Sequence, residues 1–388
     1  MFDLVFWMNM PSFYQADFFR ALLRTGKVNL KAIFTNRIPE DRVRLGWQDD
    51  LANYEHEFLD ERHPLRDSIS KALSHRHDIN IVSGLWAGKV TETVLMSLLL
   101  SHSKYFIYSE APDARDTVPP LKLKLTRAFG KPIVRHSVGL LPISHFAYDY
   151  FRSYGADGSK LHPFAYFRKS SAFTSVSNAA RNKTTVDIVY VGQLVHRKGL
   201  DILLKAMEPL FAIHRQLNLQ LIGTGEMRSE LEEWAGVRNL TGRIRFEGTL
   251  NPRQITERIS KADILALPSR WDGWGLVVNE ALMAGVPVIV SDMCGAADVV
   301  RDGTNGYVFR SGCAESLRTK LEEFLKCGRR EDESHDSSRS REAMAAAAKE
   351  TGAGLDPDNA AEYLLRVIKG EVIESDQIPR YPWVVGRV

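Results

Sequence analysis

Cysteine is scarce in this chain. Cys294, Cys313 and Cys327 are the only three among 388 residues. They have neither metal-ligand spacing nor the even number of a disulfide framework, so a zinc ribbon and a stapled secreted domain are excluded. They read as small packed residues in a reducing compartment. An excess of one charge is also missing. Lys and Arg number 51 against 48 Asp and Glu, a net +3, too small by itself to argue for nucleic acid, and no nucleic-acid partner is expected. No segment is long and apolar enough to span a bilayer. The opening MFDLVFWMNMPSF is brief, carries Asp3 and lacks a basic leading region. It reads as a first buried strand rather than a signal peptide, and a cytosolic location is expected. Internal repeats and long low-complexity segments are absent too.

What is there suits a globular protein: 44% hydrophobic and 26% charged residues. The length exceeds one ordinary core, so two domains are expected. The most informative stretch runs from Asp263 to Gly306. Two short β-branched runs, Ile264–Leu267 and Val286–Val290, have the character of buried parallel strands. Between them the turn from Trp271 to Gly275 feeds a helical segment from Leu276 to Ala284. Such a turn aims backbone N–H groups outward and suits an anion such as phosphate. Glu280 lies about one helical turn after Leu276. Gly295 marks another strand-to-helix turn, and ligands in open α/β sheets bind at these carboxyl ends of strands.

A similar unit starts the second half. Val186–Val191 reads as a strand, followed by Gly192, Gln193, Leu194, Val195, His196, Arg197, Lys198 and Gly199, then by an amphipathic helix over Leu200–Leu210. Strand, glycine turn, cation and helix make a phosphate cradle. His196 itself reads as a surface loop residue. Leu219–Ile222 is a further strand ending in Gly223, Thr224 and Gly225. Helices are expected at Arg228–Trp234 and Ile255–Ser260, and a strand at Ile244–Glu247. Later helices are expected at Leu317–Leu325 and Glu362–Ile368, with a charged, then Ala-rich segment from Glu331 to Glu350.

The first half alternates strands and helices, which implies βαβ units and a parallel sheet. Strands are expected at Leu4–Met8, Leu30–Thr35, Asp78–Ser83 and Lys104–Tyr108, with helices at Phe13–Leu23 and Lys89–Leu100. Asn36 to Glu61 is polar and reads as irregular structure. The loop Asn9–Ser12 is not Gly-rich, so nucleotide binding by this first unit is not expected. Glu110 stands at the end of a strand, where it is either a functional carboxylate or a surface residue before a turn. The segment Arg115–Arg135 interleaves six cations with Leu121, Leu123, Leu125 and Phe129 against the single acid Asp116. It reads as a membrane-surface helix or, more commonly, as a solvated helix face. Domain boundaries are expected as 1–167, a linker at 168–185 rich in Ser, Asn and basic residues, a second domain at 186–355, and a C-terminal helix and tail at 356–388 that packs back on the first domain.

Asp272, Gly273, Trp274, Gly275, Glu280, Ala281, Leu282, Met283, Ala284, Gly285, Val286, Pro287 and Val288 together resemble the donor-binding signature of the retaining family 4 glycosyltransferases. That family shows Glu-Gly-Phe-Gly, a second Glu eight positions after the first, then Ala-Met-Ala-x-Gly-x-Pro-Val. Asp272 stands where the family has Glu, one methylene shorter. Lys198 matches a family cation, and Gln193 replaces a family Arg, a contact Arg197 could supply. Gly223 and Gly225 resemble the family's Gly-x-Gly.

The resemblance implies the α/β GT-B fold, two Rossmann-like domains facing each other across a cleft. It also implies a retaining glycosyl transfer, without a metal or other cofactor, from a UDP- or GDP-sugar to a glycan or lipid-linked acceptor in cell-surface polysaccharide or glycoconjugate synthesis. Catalytic roles fall to Lys198, Asp272, Glu280 and Glu110. Donor contacts fall to Gly192, Gln193, Arg197, Lys198, Gly223, Gly225, Gly273, Trp274, Gly275, Leu276 and Glu280, the last on the ribose. Preorganised cations and N–H dipoles at the leaving diphosphate would supply most of the stabilisation, and Asp272 would read sugar hydroxyls. Glu110 would orient an acceptor hydroxyl or face the donor sugar. Asn9, Ser12 and Tyr14 either touch the acceptor or cap and pack the first helix. Relatives often use lipid-linked acceptors, which favours peripheral contact of Arg115–Arg135 with an anionic inner membrane face. A sugar-nucleotide epimerase of similar architecture and a catalytically silent binding subunit are the competing readings.

Overall fold

The computed structural model describes residues 1–44, 50–113, 115, 119–169, 185–327 and 340–371. It divides into two compact units. One is built on Met1–Arg168 with the returning helix Pro357–Ile368, the other on Lys169–Asp356. The expected tail Pro379–Trp383, most of the linker, and residues 331–339 of the charged segment lie outside the described residues.

The first unit runs β1 (Phe2–Met8), α1 (Phe13–Arg24), β2 (Val28–Phe34), α2 (Glu40–Arg44), β3 (Glu55–Phe58), α3 (Pro64–Ser74), β4 (Ile79–Ser83), α4 (Lys89–Leu100), β5 (Lys104–Ser109), α5 (Pro120–His136), β6 (Gly139–Pro142) and α6 (Ser144–Ser153). Its sheet is parallel, in the order β3-β2-β1-β4-β5-β6. β1 is apolar on both faces because helices cover both sides, as parallel sheets require. The one polar side chain sunk into the middle of this sheet, Asn80, is fully satisfied. It accepts from Trp7 Nε1 at 2.8 Å and donates to the carbonyls of His75 and Asp78.

The second unit runs β7 (Val186–Val191), α7 (Leu200–Ile213), β8 (Leu217–Ile222), α8 (Arg228–Val237), β9 (Ile244–Gly248), α9 (Pro252–Lys261), β10 (Ile264–Leu267), α10 (Leu276–Met283), β11 (Val288–Ser291), β12 (Gly306–Phe309), α11 (Ala314–Lys326) and α12 (Arg341–Gly354). The order β12-β11-β10-β7-β8-β9 repeats that of the first sheet, again all parallel. Each unit is therefore a doubly wound Rossmann-type sheet with its own switch point. Local signals set the helix starts. At α9 Asn251 and Gln254 cap each other's backbone N–H, with Pro252 at the first helical position. α12 lies close on α10 because Gly352 has no side chain. A Cβ there would come within 2.4 Å of Met283 N.

The last helix, α13 (Pro357–Ile368), belongs to the first unit. It packs on α1, where Arg24 pairs with Asp358 and Lys27 with Glu362, and Tyr363 stacks on Phe164. Three expectations need correction. The supposedly irregular 36–61 region contains α2 and the edge strand β3, whose Glu-His-Glu-Phe sequence carries no apolar pattern because its end of the sheet is half solvated. α3 and β12 were also not anticipated; β12 is a four-residue edge strand that follows the turn at 303–305.

Candidate active site

In the second unit the carboxyl ends of β7, β8 and β10 carry three turns that are locked together. Gly192 N–H donates to Ile222 O, Leu194 N–H to Thr224 O, and Met227 N–H to Leu194 O, all at 2.9 Å. The turns approach main chain to main chain, and Gly223 permits it. A Cβ at Gly223 would stand 2.0 Å from Gly192 O, and one at Gly225 would stand 2.4 Å from Leu194 O.

The β7 turn then reaches across to the β10 turn. Lys198 Nζ meets Asp272 Oδ2 at 2.5 Å, and both side chains are only 14% exposed. Arg197 Nη1 donates to Trp271 O at 2.9 Å, and Arg270 N–H donates to Arg197 O. Arg270 also holds Asp201, on the first turn of α7, through two 2.7 Å bonds, and donates to His196 O. This bidentate pair draws the Asp201 carboxyl below its ordinary range even though burial pushes the other way. Arg270 and Asp201 were missed by sequence reading. Their only signal is the neighbourhood of Asp272, since the pairing spans 69 residues.

Beneath Asp272 lie two buried groups that sequence reading also missed. Tyr190 donates to Gln193 O at 2.7 Å, and its phenol is held above its ordinary value by burial and then by the charge of Asp272. Cys294 donates to Trp274 O at 2.8 Å, and its thiol is pushed well up by burial and by the same carboxylate. Both stay protonated at neutral pH and form an uncharged floor. Gly275, at φ 96°, makes the sharp turn into α10 against that floor. A Cβ there would meet Cys294 Sγ at 2.7 Å.

The residues expected at this site fall into three groups. Lys198, Asp272, Gly192, Gly223 and Gly225 are half-buried in the locked turns, Gly275 and Leu276 start α10, and Glu280 is half-buried on α10 one turn further on. Gln193 and Arg197 are exposed beside them, as is His196. Gly273 and Trp274 are buried, so a donor contact there is limited to backbone groups. The Trp274 side chain is 1% exposed and gives its Nε1–H to Asn279 at 2.9 Å, so the indole serves the packing of α10 and only its backbone stands at the turn.

Glu110 belongs to the first unit. It lies at the end of β5 in a cleft of about 380 Å³ that also takes in the ends of β1 and β4. Tyr166 donates to Glu110 Oε1 at 2.5 Å. The rings of Tyr14 and Tyr108 stand 4.7 and 6.0 Å from that of Tyr166. Burial holds all three phenols above their ordinary range, Tyr14 up to about 12. They remain donors at neutral pH. Asn9 and Tyr14 line this cleft. Ser12 occupies the N-cap position of α1 but makes no side-chain cap bond, so the capping reading is limited to its backbone.

A doubly wound unit with glycine-locked turns, a cation–carboxylate pair and a helix start at its switch point is built to hold a phosphorylated ligand. Comparison with known proteins narrows the class. Residues 174–351, a little under half of the chain, match the model of the glycosyl transferases group 1 family. A GDP-mannose-dependent monoacylated alpha-(1-6)-phosphatidylinositol monomannoside mannosyltransferase of Corynebacterium glutamicum is 33% identical over 149 residues, 37% of this chain and 38% of that protein. The alpha-D-kanosaminyltransferase of Streptomyces kanamyceticus is 30% identical over 121 residues, 31% of each chain. The chain spans about a third of the length of the curated relatives it matches. The crystal structure of Anabaena HepE in complex with UDP superposes with a TM-score of 0.74 at 14% identity, covering 95% of this chain and 99% of that one. The fold is thus the GT-B class, with its two Rossmann-like domains.

Proposed function

We propose that this chain moves a hexosyl group from a UDP- or GDP-sugar to a glycan or lipid-linked acceptor, with retention of anomeric configuration. The observation that carries this reading is the Lys198–Asp272 pair at the switch point of the second unit, in the turn that leads into α10, the helix that carries Glu280. The printed names of relatives support the donor class: one relative is GDP-mannose-dependent, and the HepE structure holds UDP.

In the step proposed, the bond from the anomeric carbon to the diphosphate oxygen breaks and its electron pair leaves with the diphosphate. The acceptor oxygen bonds the same carbon on the same face, and its proton passes to the departing phosphate. Lys198 and the amides at the start of α10 oppose the charge that accumulates on the leaving group. Lys198 is held by Asp272 until the diphosphate competes for it, and Asp272 is then available to sugar hydroxyls. Glu280 accepts from ribose hydroxyls. No metal or other cofactor takes part in this reading.

The first unit supplies the acceptor side in this reading. Its α5 carries no acid and exposes Leu121, Leu125 and Phe129 beside Lys124, Arg127 and Lys131. That combination supports peripheral contact with an anionic membrane on the cytoplasmic side, where polysaccharide or glycoconjugate precursors are assembled. Arg115 is not part of that face, because it pairs with Asp113. Among the described residues no helix is long and apolar enough to cross a membrane.

The test is nucleotide release from a panel of UDP- and GDP-sugars, with product analysis by mass. Turnover is expected with at least one donor and is expected to fall by roughly 10²-fold in Glu280→Gln, with the thermal transition unchanged. A donor that is bound but only epimerised, or turnover indifferent to Glu280→Gln, would reject the assignment.

A further inference from the structure

The cleft of the first unit has a composition that neither the family match nor the relatives' names describe. It sits at the carboxyl ends of β1, β4 and β5, the switch point of that sheet. Its walls are aromatic. Trp86 is held by a 2.9 Å bond from its Nε1–H to Tyr154 Oη, and Tyr150 packs against Tyr154 at 5.1 Å. Tyr14 and Tyr166 pack at 4.7 Å on the other side. Its polar lining is small and hydroxyl-sized: Asn9, Ser83 and Ser109, with the carboxylate of Glu110 offset by the guanidinium of Arg42. Gln15 also lines the cleft, and its Oε1 is buried with no hydrogen-bond partner among the described residues.

We propose that this cleft is a saccharide subsite that receives one uncharged pyranose residue of the acceptor, stacked on the aromatic walls and read through its hydroxyls by Glu110, with Tyr166 as the positioning residue for that carboxylate. The volume, about 380 Å³, lies in the range of small-molecule pockets and suits one or two sugar rings rather than an acyl chain. Flat aromatic faces suit the apolar faces of a pyranose ring, and each ring has a rigid, low-entropy contact surface. A phosphate would need an excess of cations, whereas among the described residues this lining carries one carboxylate and one guanidinium. A carboxylate has about four lone-pair sites. Tyr166 fixes one oxygen and so fixes the plane in which a sugar hydroxyl can donate. The neutral state of Tyr166 keeps it a donor to the carboxylate.

This inference rests on the glycosyl-transfer reading, and the experiment separates the two. Methyl glycosides of glucose, galactose, mannose and N-acetylglucosamine are titrated into the full chain and followed by saturation-transfer NMR, with UDP and GDP titrated in parallel. At least one glycoside is expected to bind. Glu110→Gln is expected to weaken it about 10- to 100-fold and Tyr166→Phe about 3- to 10-fold, with nucleotide affinity unchanged in both. With the working donor, Tyr166→Phe is expected to raise the acceptor KM more than it lowers kcat. A deoxy glycoside lacking the read hydroxyl should lose affinity in the wild-type chain but lose little more in Glu110→Gln. The subsite is overturned if no glycoside binds a chain that binds nucleotide, if inositol phosphate binds in place of every glycoside, or if both variants bind glycosides as the wild type does. Glycoside binding sensitive to Glu110→Gln in a chain that binds neither nucleotide supports the subsite and rejects the donor reading instead.

Discussion

The two units share one strand order and one location for their clustered polar groups, yet they finish that location with different materials. In the second unit the switch-point turns are closed by backbone. Gly223 and Gly225 let carbonyls of the neighbouring turn approach to distances no side chain would allow. The first unit closes the same edge with side chains: Tyr14, Tyr108 and Tyr166 surround one carboxylate, and Trp86 leans over the end of β4. Backbone amides in fixed turns favour an anion, because N–H dipoles cost nothing to reorient. Aromatic faces and a pinned carboxylate favour a neutral, hydroxyl-bearing ring. Topology thus decides where each unit gathers its polar groups, and the chemistry of the turns decides what kind of ligand that place favours.

The sharpest way to break this contrast is to remove the Lys198–Asp272 pair of the second unit. Lys198→Ala is expected to lower kcat/KM for transfer by about 10²- to 10³-fold, the scale of losing one preorganised charge at a developing anion. Asp272→Asn leaves the Lys198 ammonium in a largely buried turn without its carboxylate partner, and a similar order of loss is expected. The double variant tells whether the pair works as one unit. A coupling of roughly 0.5–3 kcal/mol, with the two losses failing to add, is expected for groups in contact. Additive losses in steady-state rates would mean that the 2.5 Å contact is incidental to turnover.

Much of the second unit's framework could be read from residues alone, because buried parallel strands announce themselves as short apolar runs. Ile264–Leu267 and Val186–Val191 are of this kind. β3 could not be read so, since its edge position relaxes the demand for apolar residues, whereas β12 is apolar and largely buried but only four residues long. The site divides the same way. Glycines before helices, a cation and two carboxylates are visible as an ordered set. The contact of Lys198 with Asp272 is not, because it spans 74 residues and exists only through the pairing of β7 with β10, Ile188 opposite Ile264. The same holds for Tyr166 and Glu110, 56 residues apart. The burial of the Trp274 ring is likewise set by packing, and it leaves the turn to the backbone.

A second contrast concerns outer faces. The second unit's large exposed apolar side chains among the described residues, Ile213 and Val237, stand singly at or beside helix ends. On α5 of the first unit Leu121 is 70% and Phe129 57% exposed, on a helix with five Lys and Arg and no acid. Sedimentation with vesicles containing anionic lipid should show binding that weakens as salt rises, each basic residue near the surface contributing about 1 kcal/mol. Leu121→Ala with Phe129→Ala should reduce that binding by about tenfold, given partial burial of each side chain. α3 also exposes Leu65, Ile69 and Leu73, but with Asp67 among them. Alanines at Leu65 and Ile69 are expected to change little and serve as the control. Equal binding to neutral and anionic vesicles would remove the assignment of α5.

The smallest expected effect lies where α13 returns to the first unit. Its charged contacts, Arg24 with Asp358 and Lys27 with Glu362, are each about half exposed, whereas Tyr363 is buried and stacks on Phe164 at 6.2 Å. Solvent screens exposed pairs, and such pairs contribute about 0.2–1 kcal/mol. Arg24→Ala and Lys27→Ala should therefore lower the thermal transition by a degree or two at most, and less in high salt. Tyr363→Ala removes buried aromatic packing, for which about 3–5 kcal/mol is typical of large core truncations. Calorimetry of the three variants at low and high salt distinguishes the contributions. If the two charge variants cost as much as Tyr363→Ala, and the cost survives high salt, the helix is held by electrostatics rather than by its apolar stripe.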